Sequence, residues 1–428
     1  MENEMPQQIT LADSGRLDEY FRSAVRRIQD RPSFDAAHMA GLLTGHEHST
    51  TGRSTAWDSG PPDSRSQAID FVRCSYLGLD NHPTIVAGAI EALEAHRSLH
   101  WSDVRMGPKF ALLAELEEIL SEIFCARVLA FSSGMLANLG AIPLLASGQL
   151  TRGRRPVVVF DQSARISLGQ HKRVVADETL VETIVHNDIG VLERLCREHP
   201  VVAYVCDGVY AVGGHSPIKE LRQLQERYGL FVYIDDAHGI SIFGRQGEGF
   251  ARSQFPQMLG ERTIIAASLA KGFGASGGVL MLGAADHEAL FRRYWPPYAF
   301  SMAPNLAAIG AALGSCKIHR SPELGQRQRR LAQRIDVFDH RVATAEQGNS
   351  LPIRTITIGS ETNAIAIARG LLDCGFYTAV TFSPALGRGT AGIRVCITAQ
   401  HEVHDIERLC DSILQNIAQT TGKPYPLR

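Results

Sequence analysis

The sequence lacks a strong charge of either sign. Its 428 residues carry a formal net charge of -2, and the sequence pI is about 6.8. Proteins that bind nucleic acid or an acidic membrane present an excess of basic residues, which displaces counterions. The composition provides no such excess, so small-molecule chemistry is the better expectation.

The sequence also lacks paired cysteines and long apolar runs. Its eight cysteines stand singly, with no CxxC motif, so neither a zinc site nor a disulfide framework is expected. Nowhere does an uncharged apolar run reach the roughly 18 residues of a membrane span, and the first residues show no secretory pattern. We therefore expect reduced thiols and a cytoplasmic protein.

Lysine is scarce. It occurs at only six positions, which are 109, 172, 219, 271, 317 and 423. A lysine that forms a Schiff base needs a neutral amine, and desolvation or a nearby cation must lower its pKa from about 10.4. Lys271 alone follows an apolar segment and has small neighbours, although a lysine that merely extends from a strand end is the alternative.

Short apolar runs that alternate with amphipathic stretches predict an α/β fold. The predicted strands are 156–161, 201–207, 230–236, 263–268 and 277–282, and helical spacing lies between them, for example in 180–199 and 218–229. This order indicates a mostly parallel sheet covered on both faces. Ligands of such sheets bind beyond the carboxyl ends of the strands.

We predict three regions along the chain. Residues 1–68 would hold an N-terminal helix (16–29) and a polar linker (44–66), and residues 69–320 would form the large domain. Residues 321–428 would form a small α+β domain with a helix over 327–345 and strands at 352–359 and 392–399.

The stretch SLAKGFGASGG, residues 268–278, combines Lys271 with a GxGxxG pattern. In a dinucleotide fold this pattern sits early in a βαβ unit and is followed about 20 residues later by an acidic residue. Here it comes after several strands. We therefore predict that the glycines provide room around a reactive Lys271.

The segment VYIDDAHG ends a predicted buried strand with Asp235 and Asp236. Burying two carboxylates without partners would cost several kcal/mol, so a cation is expected beside them. A pyridinium nitrogen is such a cation, and His238 could then donate to the phenolic oxygen of the same ring. A structural salt bridge with a capping histidine is the alternative.

The segment FSSGMLANLG leads from a strand end through Ser133 and Gly134 into a helix. The first N–H groups of a helix and its dipole attract an anion such as a phosphate. Ser268 could add a hydroxyl group. A serine N-cap without a ligand is the alternative.

Taken together, these motifs resemble those of the α-oxoamine synthases, pyridoxal phosphate enzymes of fold type I. The resemblance rests on DDAHG and SLAKGFGASGG, and on SYLGLDNHP (75–83), FSSGMLANLG (131–140), DGVYAVGGHSPIKEL (207–221), FSMAPN (300–305) and GIRVCITAQHEVHDIERL (392–409). It covers roughly residues 70–415. The family condenses an amino acid with an acyl thioester, usually acyl-CoA, and releases carbon dioxide and free thiol.

The resemblance implies a role for each matching residue. Lys271 would hold the cofactor covalently and move protons at Cα, Asp235 would pair with the pyridine nitrogen, and His238 would contact the phenolic oxygen. The other cofactor contacts that it implies are Ser133, Gly134, Met135, Asp207, Ser268 and Ser301. Ser301 would approach from the second subunit of a homodimer, and Arg394 would bind the substrate carboxylate.

The sequence departs from the family pattern at three positions. Arg165 replaces a histidine that stacks on the cofactor, Ala211 replaces a serine, and Cys74 replaces an asparagine. An arginine does not shuttle protons near neutral pH, but its charge can hold a carboxylate or phosphate. The second substrate could therefore be unusual, and SLHWS (98–102) is similar to the autoinducer synthase branch, which can use S-adenosylmethionine.

Three alternative functions stay open from the sequence. The first keeps the cofactor but performs elimination or addition at the β or γ carbon, with Arg165 binding an anionic co-substrate. The second is a catalytically silent subunit, which the retained Lys271, Asp235 and His238 argue against. The third is a nicotinamide oxidoreductase.

Overall fold

The computed structural model describes residues 36–37, 40, 42, 46–48, 53–58, 66–100, 105, 110–212, 214–256, 258–294, 296–382 and 390–425. The helix predicted over 16–29 lies outside these residues. Within the described residues no helix is both long enough and apolar enough to span a membrane.

The strands are β1 (His46–His48), β2 (Ser54–Asp58), β3 (Ser66–Asp70), β4 (Arg127–Phe131), β5 (Val157–Asp161), β6 (Val181–Ile184), β7 (Val202–Asp207), β8 (Phe231–Asp235), β9 (Thr263–Ser268), β10 (Gly278–Leu282), β11 (Ile353–Gly359), β12 (Phe376–Tyr377), β13 (Ala379–Thr381) and β14 (Ala391–Cys396).

The helices are α1 (Pro83–His96), α2 (Ala111–Phe124), α3 (Gly134–Ala146), α4 (Ile166–Gly169), α5 (Lys172–Glu178), α6 (Ile189–Glu198), α7 (Ile218–Tyr228), α8 (Phe250–Ser253), α9 (Ala285–Tyr294), α10 (Pro296–Ala299), α11 (Leu306–His319), α12 (Pro322–Asp339), α13 (Glu361–Asp373) and α14 (Val403–Thr421), with a 3-10 turn at Gln149–Thr151.

A seven-stranded sheet in the order β4-β10-β9-β8-β7-β5-β6 forms the centre of the large region. Strand β10 is antiparallel to both of its neighbours, and the other strands run in one direction. Central strands such as β5, β7 and β8 are buried at every position, which explains their continuous apolar runs. Helices cover both faces, so the predicted α/β fold with a mostly parallel sheet is confirmed.

The covering helices are amphipathic. In α7 the buried positions Ile218, Leu221 and Leu224 recur every three residues, and Gly229 ends the helix in the left-handed conformation. In α6 the carboxylate of Asp188 caps the helix by accepting from the N–H of Val191 at 2.9 Å. Helices α6 and α7 both lie in segments where the sequence shows the helical spacing of apolar residues.

The C-terminal region contains the predicted α+β elements. Strands β11, β14 and β13 form an antiparallel sheet, and helices α13 and α14 pack beside it. Arg354 on β11 is completely buried, and its guanidinium is bidentate on Asp339 at the end of α12, with N–O distances of 2.6 and 2.8 Å. The boundaries at residues 68 and 320 stay predictions.

Two secondary-structure predictions were wrong. The polar stretch 44–66 contains β1 and β2, which pair with each other, and β2 also pairs with β3. The helical pattern in 180–199 begins with strand β6, which pairs with β5, and only its second half forms α6. All three strands are short, and β6 is only partly buried, so pairing with a neighbouring strand decides their conformation rather than local pattern.

Candidate active site

The polar residues singled out in the sequence meet at one edge of the sheet. Strands β4, β7, β8 and β9 end at Phe131, Asp207, Asp235 and Ser268, and their carboxyl ends point the same way. Lys271 follows β9 by three residues. The fold therefore gathers these side chains where parallel sheets bind ligands.

Asp235 ends β8 and is held by three donors. Its Oδ1 accepts from Nη1 of Arg165 and from the backbone N–H of Ala237, each at 3.0 Å. Its Oδ2 accepts from Nδ2 of Asn138 on α3 at 2.7 Å. Tyr233 donates its hydroxyl to Oδ1 of Asn138 at 2.7 Å, which fixes the amide orientation. A carboxylate with this many donors is rigidly positioned.

Arg165 lies between two buried carboxylates. Its Nε donates to Asp207, its backbone N–H donates to the same carboxylate at 2.9 Å, and Nη1 donates to Asp235. Burial lowers the pKa of Arg165, but the charges of Asp207 and Asp235 outweigh this and raise it above the ordinary value. Within the described part of the chain the buried Nη2 has no hydrogen-bond partner. The carboxylates that this arginine holds are therefore the protein's own.

Asp236 points away from Asp235, so one cation does not serve both carboxylates. Its Oδ2 accepts from the N–H of Ala251 at 2.9 Å, and Oδ1 is buried without a partner among the described residues. A Cβ on Gly208 or Gly239 would lie only 2.4 or 2.1 Å from that Oδ1. Burial raises the pKa of Asp236 from 3.8 to about 8, which keeps the carboxyl protonated at neutral pH.

We expect Asp236→Asn to flatten the dependence of stability on pH. Between pH 4 and 8 the folded state keeps a proton that the unfolded state releases, so wild-type stability falls as pH rises through this window. Asparagine resembles the protonated carboxyl and should remove up to about 1.4 kcal/mol per pH unit of that slope. Urea unfolding at several pH values measures it. Asp286→Asn, at an exposed position of α9, is the control, and an unchanged slope in Asp236→Asn would contradict the expectation.

His238 is a neutral imidazole in this environment. Burial lowers its pKa to about 3, with help from the charges of Arg165 and Lys271, and a hydrogen bond to Cys74 opposes the shift. The hydroxyl of Tyr76 lies 2.6 Å from Nδ1. Because burial raises the pKa of Tyr76 far above its usual range, the tyrosine keeps its proton and donates to Nδ1. The ring proton then belongs to Nε2, which can donate to a ligand.

The amine of Lys271 lies in the environment that the sequence predicted for it. Burial lowers its pKa, and the charge of Arg165 lowers it further, while Asp235 and Cys74 partly oppose the shift. Both predicted causes, desolvation and a nearby cation, therefore act together. The lysine is half-buried, so a small molecule can reach it.

The three glycines of the GxGxxG pattern allow close packing of protein on protein. A Cβ on Gly272 would lie 2.7 Å from the carbonyl oxygen of Ile240, and one on Gly274 would lie 2.4 Å from Cβ of Leu79. The segment connects antiparallel β9 and β10 through turns, and no helix begins there. A dinucleotide fingerprint needs that helix, so the structure excludes this interpretation.

Ser133 and Gly134 form the predicted start of α3. The Ser133 hydroxyl caps the helix by accepting from the N–H of Leu136 at 3.1 Å. Helix geometry leaves the N–H groups of Gly134 and Met135 without intrahelical acceptors. Gly134 packs against Ser268, because a Cβ on Gly134 would lie 3.5 Å from Cβ of Ser268. The Ser133 cap therefore leaves the N–H groups of Gly134 and Met135 available to an anion.

Arg394 reaches the same site from β14. Its Nε donates to the carbonyl oxygen of Ala211 at 3.1 Å, and Nη2 donates to Sγ of Cys74 at 3.6 Å. The buried residues Ile393 and Val395 point to the opposite face, as the alternation in the sequence predicted. Ser301 follows α10 and donates its hydroxyl to the carbonyl of Pro297. Its predicted approach from a second subunit stays a prediction.

Sequence reasoning missed two residues of this site, Asn138 and Tyr76. Asn138 is completely buried on α3, and a buried amide in an apolar helix was the available signal. Tyr76 is also completely buried and has a φ of 22°, in the left-handed region that is costly for a tyrosine. Backbone strain of this kind is invisible in a sequence.

The residues present fit pyridoxal phosphate, the group that the resemblance implies. The helix N-terminus beside Ser268 suits a phosphate, the carboxylate of Asp235 suits a protonated ring nitrogen, and Nε2 of His238 suits a phenolic oxygen. Lys271 supplies an amine of lowered pKa for the aldehyde. No required donor or acceptor type is missing from this set.

The sheet, its carboxyl-edge site and the C-terminal α+β elements define the fold of the type I transferases. The chain belongs to the family described as Aminotransferase class I and II, which residues 75–413 match. Within that family it is a member of the α-oxoamine synthase group.

Two curated relatives illustrate the similarity. The 8-amino-7-oxononanoate synthase of Geobacter sulfurreducens is 30% identical over 342 residues, covering 78% of this chain and 85% of the relative. The enzyme of the same name from Marinomonas sp. is 29% identical over 355 residues, covering 80% and 84%. A solved structure of serine palmitoyltransferase from S. paucimobilis with bound PLP-myriocin has a TM-score of 0.79 at 20% identity, covering 94% and 98%.

Proposed function

We propose that this protein is a pyridoxal phosphate-dependent acyltransferase that joins Cα of an amino acid to an acyl thioester, with loss of carbon dioxide. The observation that carries the proposal is the amine of lowered pKa, Lys271, close to the fixed carboxylate of Asp235 at the edge of the sheet. The curated relatives named 8-amino-7-oxononanoate synthase support this reaction class.

Each residue of the site has a task in this reaction. When bound, pyridoxal phosphate supplies an electron sink for the pair left on Cα. Asp235 would keep the ring nitrogen protonated, and Nε2 of His238 would donate to the phenolic oxygen. Lys271 would hold the aldehyde through its amine and would move a proton at Cα of the amino acid. Gly134, Met135 and Ser268 would bind the phosphate at the start of α3.

The position of Arg165 supports this reaction over elimination or addition with an anionic co-substrate. That alternative needs the guanidinium to bind an anion from solution. In the structure Asp207 and Asp235 already occupy its Nε and Nη1 groups, and the Nη2 group, which has no partner among the described residues, is buried. Arg165 then holds the carboxylate of Asp235 in place, and its charge lowers the pKa of the Lys271 amine.

We also propose a homodimer. Helix α3 packs on α4 and α10, and large apolar side chains near this contact are exposed in the single chain. They are Met135, Leu139, Ile166, Phe300 and Met302. A second copy that covers them would bring Ser301 close to the phosphate end of the site. Sedimentation equilibrium tests this, and a monomer at micromolar concentration would contradict it.

The reaction is tested by incubating the loaded enzyme with single amino acids, with and without acyl-CoA. We expect one amino acid to give equal amounts of carbon dioxide and free thiol, and only when the thioester is present. S-Adenosylmethionine belongs in the same screen because of the SLHWS segment. Release of ammonia or an olefin without the thioester would favour the elimination reaction, and an absence of turnover would favour a silent subunit.

We expect Arg394→Ala to raise KM for the amino acid by about 10- to 100-fold, because a hydrogen bond to a charged group contributes about 1.5–3 kcal/mol. The effect on kcat should be smaller, since the carboxylate contact is similar in the ground and transition states. Arg394→Lys keeps the charge and should recover part of the loss. An equal fall in kcat with unchanged KM would rule out the carboxylate contact.

A further inference from the structure

Two carboxylates stand side by side at the carboxyl edge of the sheet. Strands β7 and β8 are parallel neighbours, and their register places Asp207 opposite Asp235. Neighbouring strands of a sheet lie about 4.8 Å apart. Asp207 is 1% exposed and Asp235 is 3% exposed. Burying two like charges this close together is costly unless a cation lies between them.

Arg165 is that cation, and it is paired more closely with Asp207 than with Asp235. It precedes α4 as its N-cap residue, close to the end of β5, which is the neighbour of β7. Its backbone N–H donates to Oδ2 of Asp207 at 2.9 Å, and its Nε donates to Oδ1 of the same carboxylate. Asp235 receives a single hydrogen bond from this arginine, from Nη1 at 3.0 Å.

Asp235 keeps the capacity to bind a further cation. A carboxylate has about four lone-pair sites. Those of Asp235 accept from Arg165, from the N–H of Ala237 and from Nδ2 of Asn138. The two donors on Ala237 and Asn138 are neutral, so they orient the carboxylate without cancelling its charge. One acceptor position therefore stays available.

The charges of this cluster do not cancel. Two carboxylates and one guanidinium leave one net negative charge. Five other titratable groups interact with Arg165 or Asp207, and they are Tyr76, Cys206, Tyr210, Asp236 and His238. Burial raises the pKa of the first four, so they keep their protons at pH 7, and it lowers the pKa of His238 to about 3. The remaining group is the amine of Lys271, which would hold the cofactor.

We propose that Asp207 neutralises Arg165 and thereby leaves the charge of Asp235 to a protonated ring nitrogen. With the cofactor bound, two carboxylates would face two cations. Without Asp207, the guanidinium and the ring nitrogen would compete for Asp235 alone, and the nitrogen would lose its proton to solvent. Asp207 thus compensates for the arginine that replaces the histidine of the family pattern. The inference rests on the proposed function only in that the cofactor binds at Asp235.

The test is a double-mutant cycle on protein loaded with pyridoxal phosphate that is isotopically labelled at its ring nitrogen. The NMR signal of this nitrogen reports its protonation between pH 6 and 9, independently of turnover. We expect Asp207→Asn to weaken the protonation about 10- to 1000-fold, because a neighbouring charge shifts a pKa by about 1–3. The double variant Arg165→Met/Asp207→Asn should recover the wild-type titration. Removing a second side chain would not repair a merely structural defect.

The single variant Arg165→Met keeps the test decisive if Asp207→Asn does not fold. We expect its ring nitrogen to stay protonated, because both carboxylates remain and the competing guanidinium is gone. If Arg165 served only to position Asp235, the nitrogen would lose its proton in this variant, and the proposal would be overturned.

Asp236→Asn is the matched control, since it is the same chemical change in a carboxyl that is already neutral at pH 7. It should titrate as the wild type does at that pH. A wild-type signal in Asp207→Asn, with the cofactor attached to Lys271, would overturn this proposal and leave the acyltransferase reaction standing. The expected nitrogen signals without release of carbon dioxide and thiol would reject the acyltransferase reaction alone.

Discussion

Lys271→Ala is expected to lower kcat by at least about a thousandfold, because the variant loses both the covalent attachment of the cofactor and the group that moves a proton at Cα. General acid-base catalysis alone contributes about 10²- to 10⁴-fold. The residue is also the amine whose pKa is lowered by burial and by Arg165. Turnover with the amino acid identified by the substrate screen is the measurement.

The attachment is checked independently of activity. Loaded wild-type protein should absorb near the edge of the visible range, and borohydride should remove this band and leave the cofactor on the peptide that contains Lys271. Lys317→Ala is the matched control, since Lys317 is an exposed lysine on α11. Covalent retention of the cofactor by Lys271→Ala after borohydride treatment would show that another amine holds it.

Much of this site was predictable because strand ends are readable in a sequence. Continuous apolar runs located β5, β7, β8 and β9, and parallel strands bring their carboxyl ends to one edge. Lys271 and Asp235 could therefore be placed together before any coordinates. The amphipathic helices α7 and α12 were equally visible from their periodicity.

What could not be predicted depends on side-chain direction and on distant pairing. The sequence treats Asp235 and Asp236 alike, yet adjacent residues at a strand end point to opposite sides, and only Asp235 meets Arg165. Arg165 was expected to offer its charge to a ligand, and the register of β7 beside β8 brings two carboxylates to it instead. The contact between Cys74 and Arg394 joins segments far apart in the chain.

The replacement of family residues at this site forms one physical pattern. Arg165 and Cys74 both act on the pKa of Lys271. Arg165 lowers that pKa, and Cys74 raises it. Two residues that depart from the family pattern therefore shift the pKa of Lys271 in opposite directions. The protonation of Lys271 thus depends on the charge of the Cys74 sulfur.

Asp235→Asn is expected to lower kcat by about 10²- to 10⁴-fold while Asp236→Asn keeps most of the activity, although the two substitutions are chemically identical and adjacent. Asp235 is the carboxylate that Arg165, Ala237 and Asn138 hold in place for the ring nitrogen. An amide does not keep that nitrogen protonated, so the electron sink is weakened in the transition state more than in the ground state.

The carboxyl of Asp236 lies on the other side of the strand end, where it accepts from the N–H of Ala251 and is protonated at neutral pH. Its amide analogue should leave the ring environment unchanged. Absorbance spectra of the bound cofactor between pH 6 and 9 provide a readout apart from turnover, and we expect a shift of the band in Asp235→Asn only. Equal losses of activity in both variants would mean that the strand end is simply intolerant of substitution, and the assignment of Asp235 to the ring nitrogen would fail.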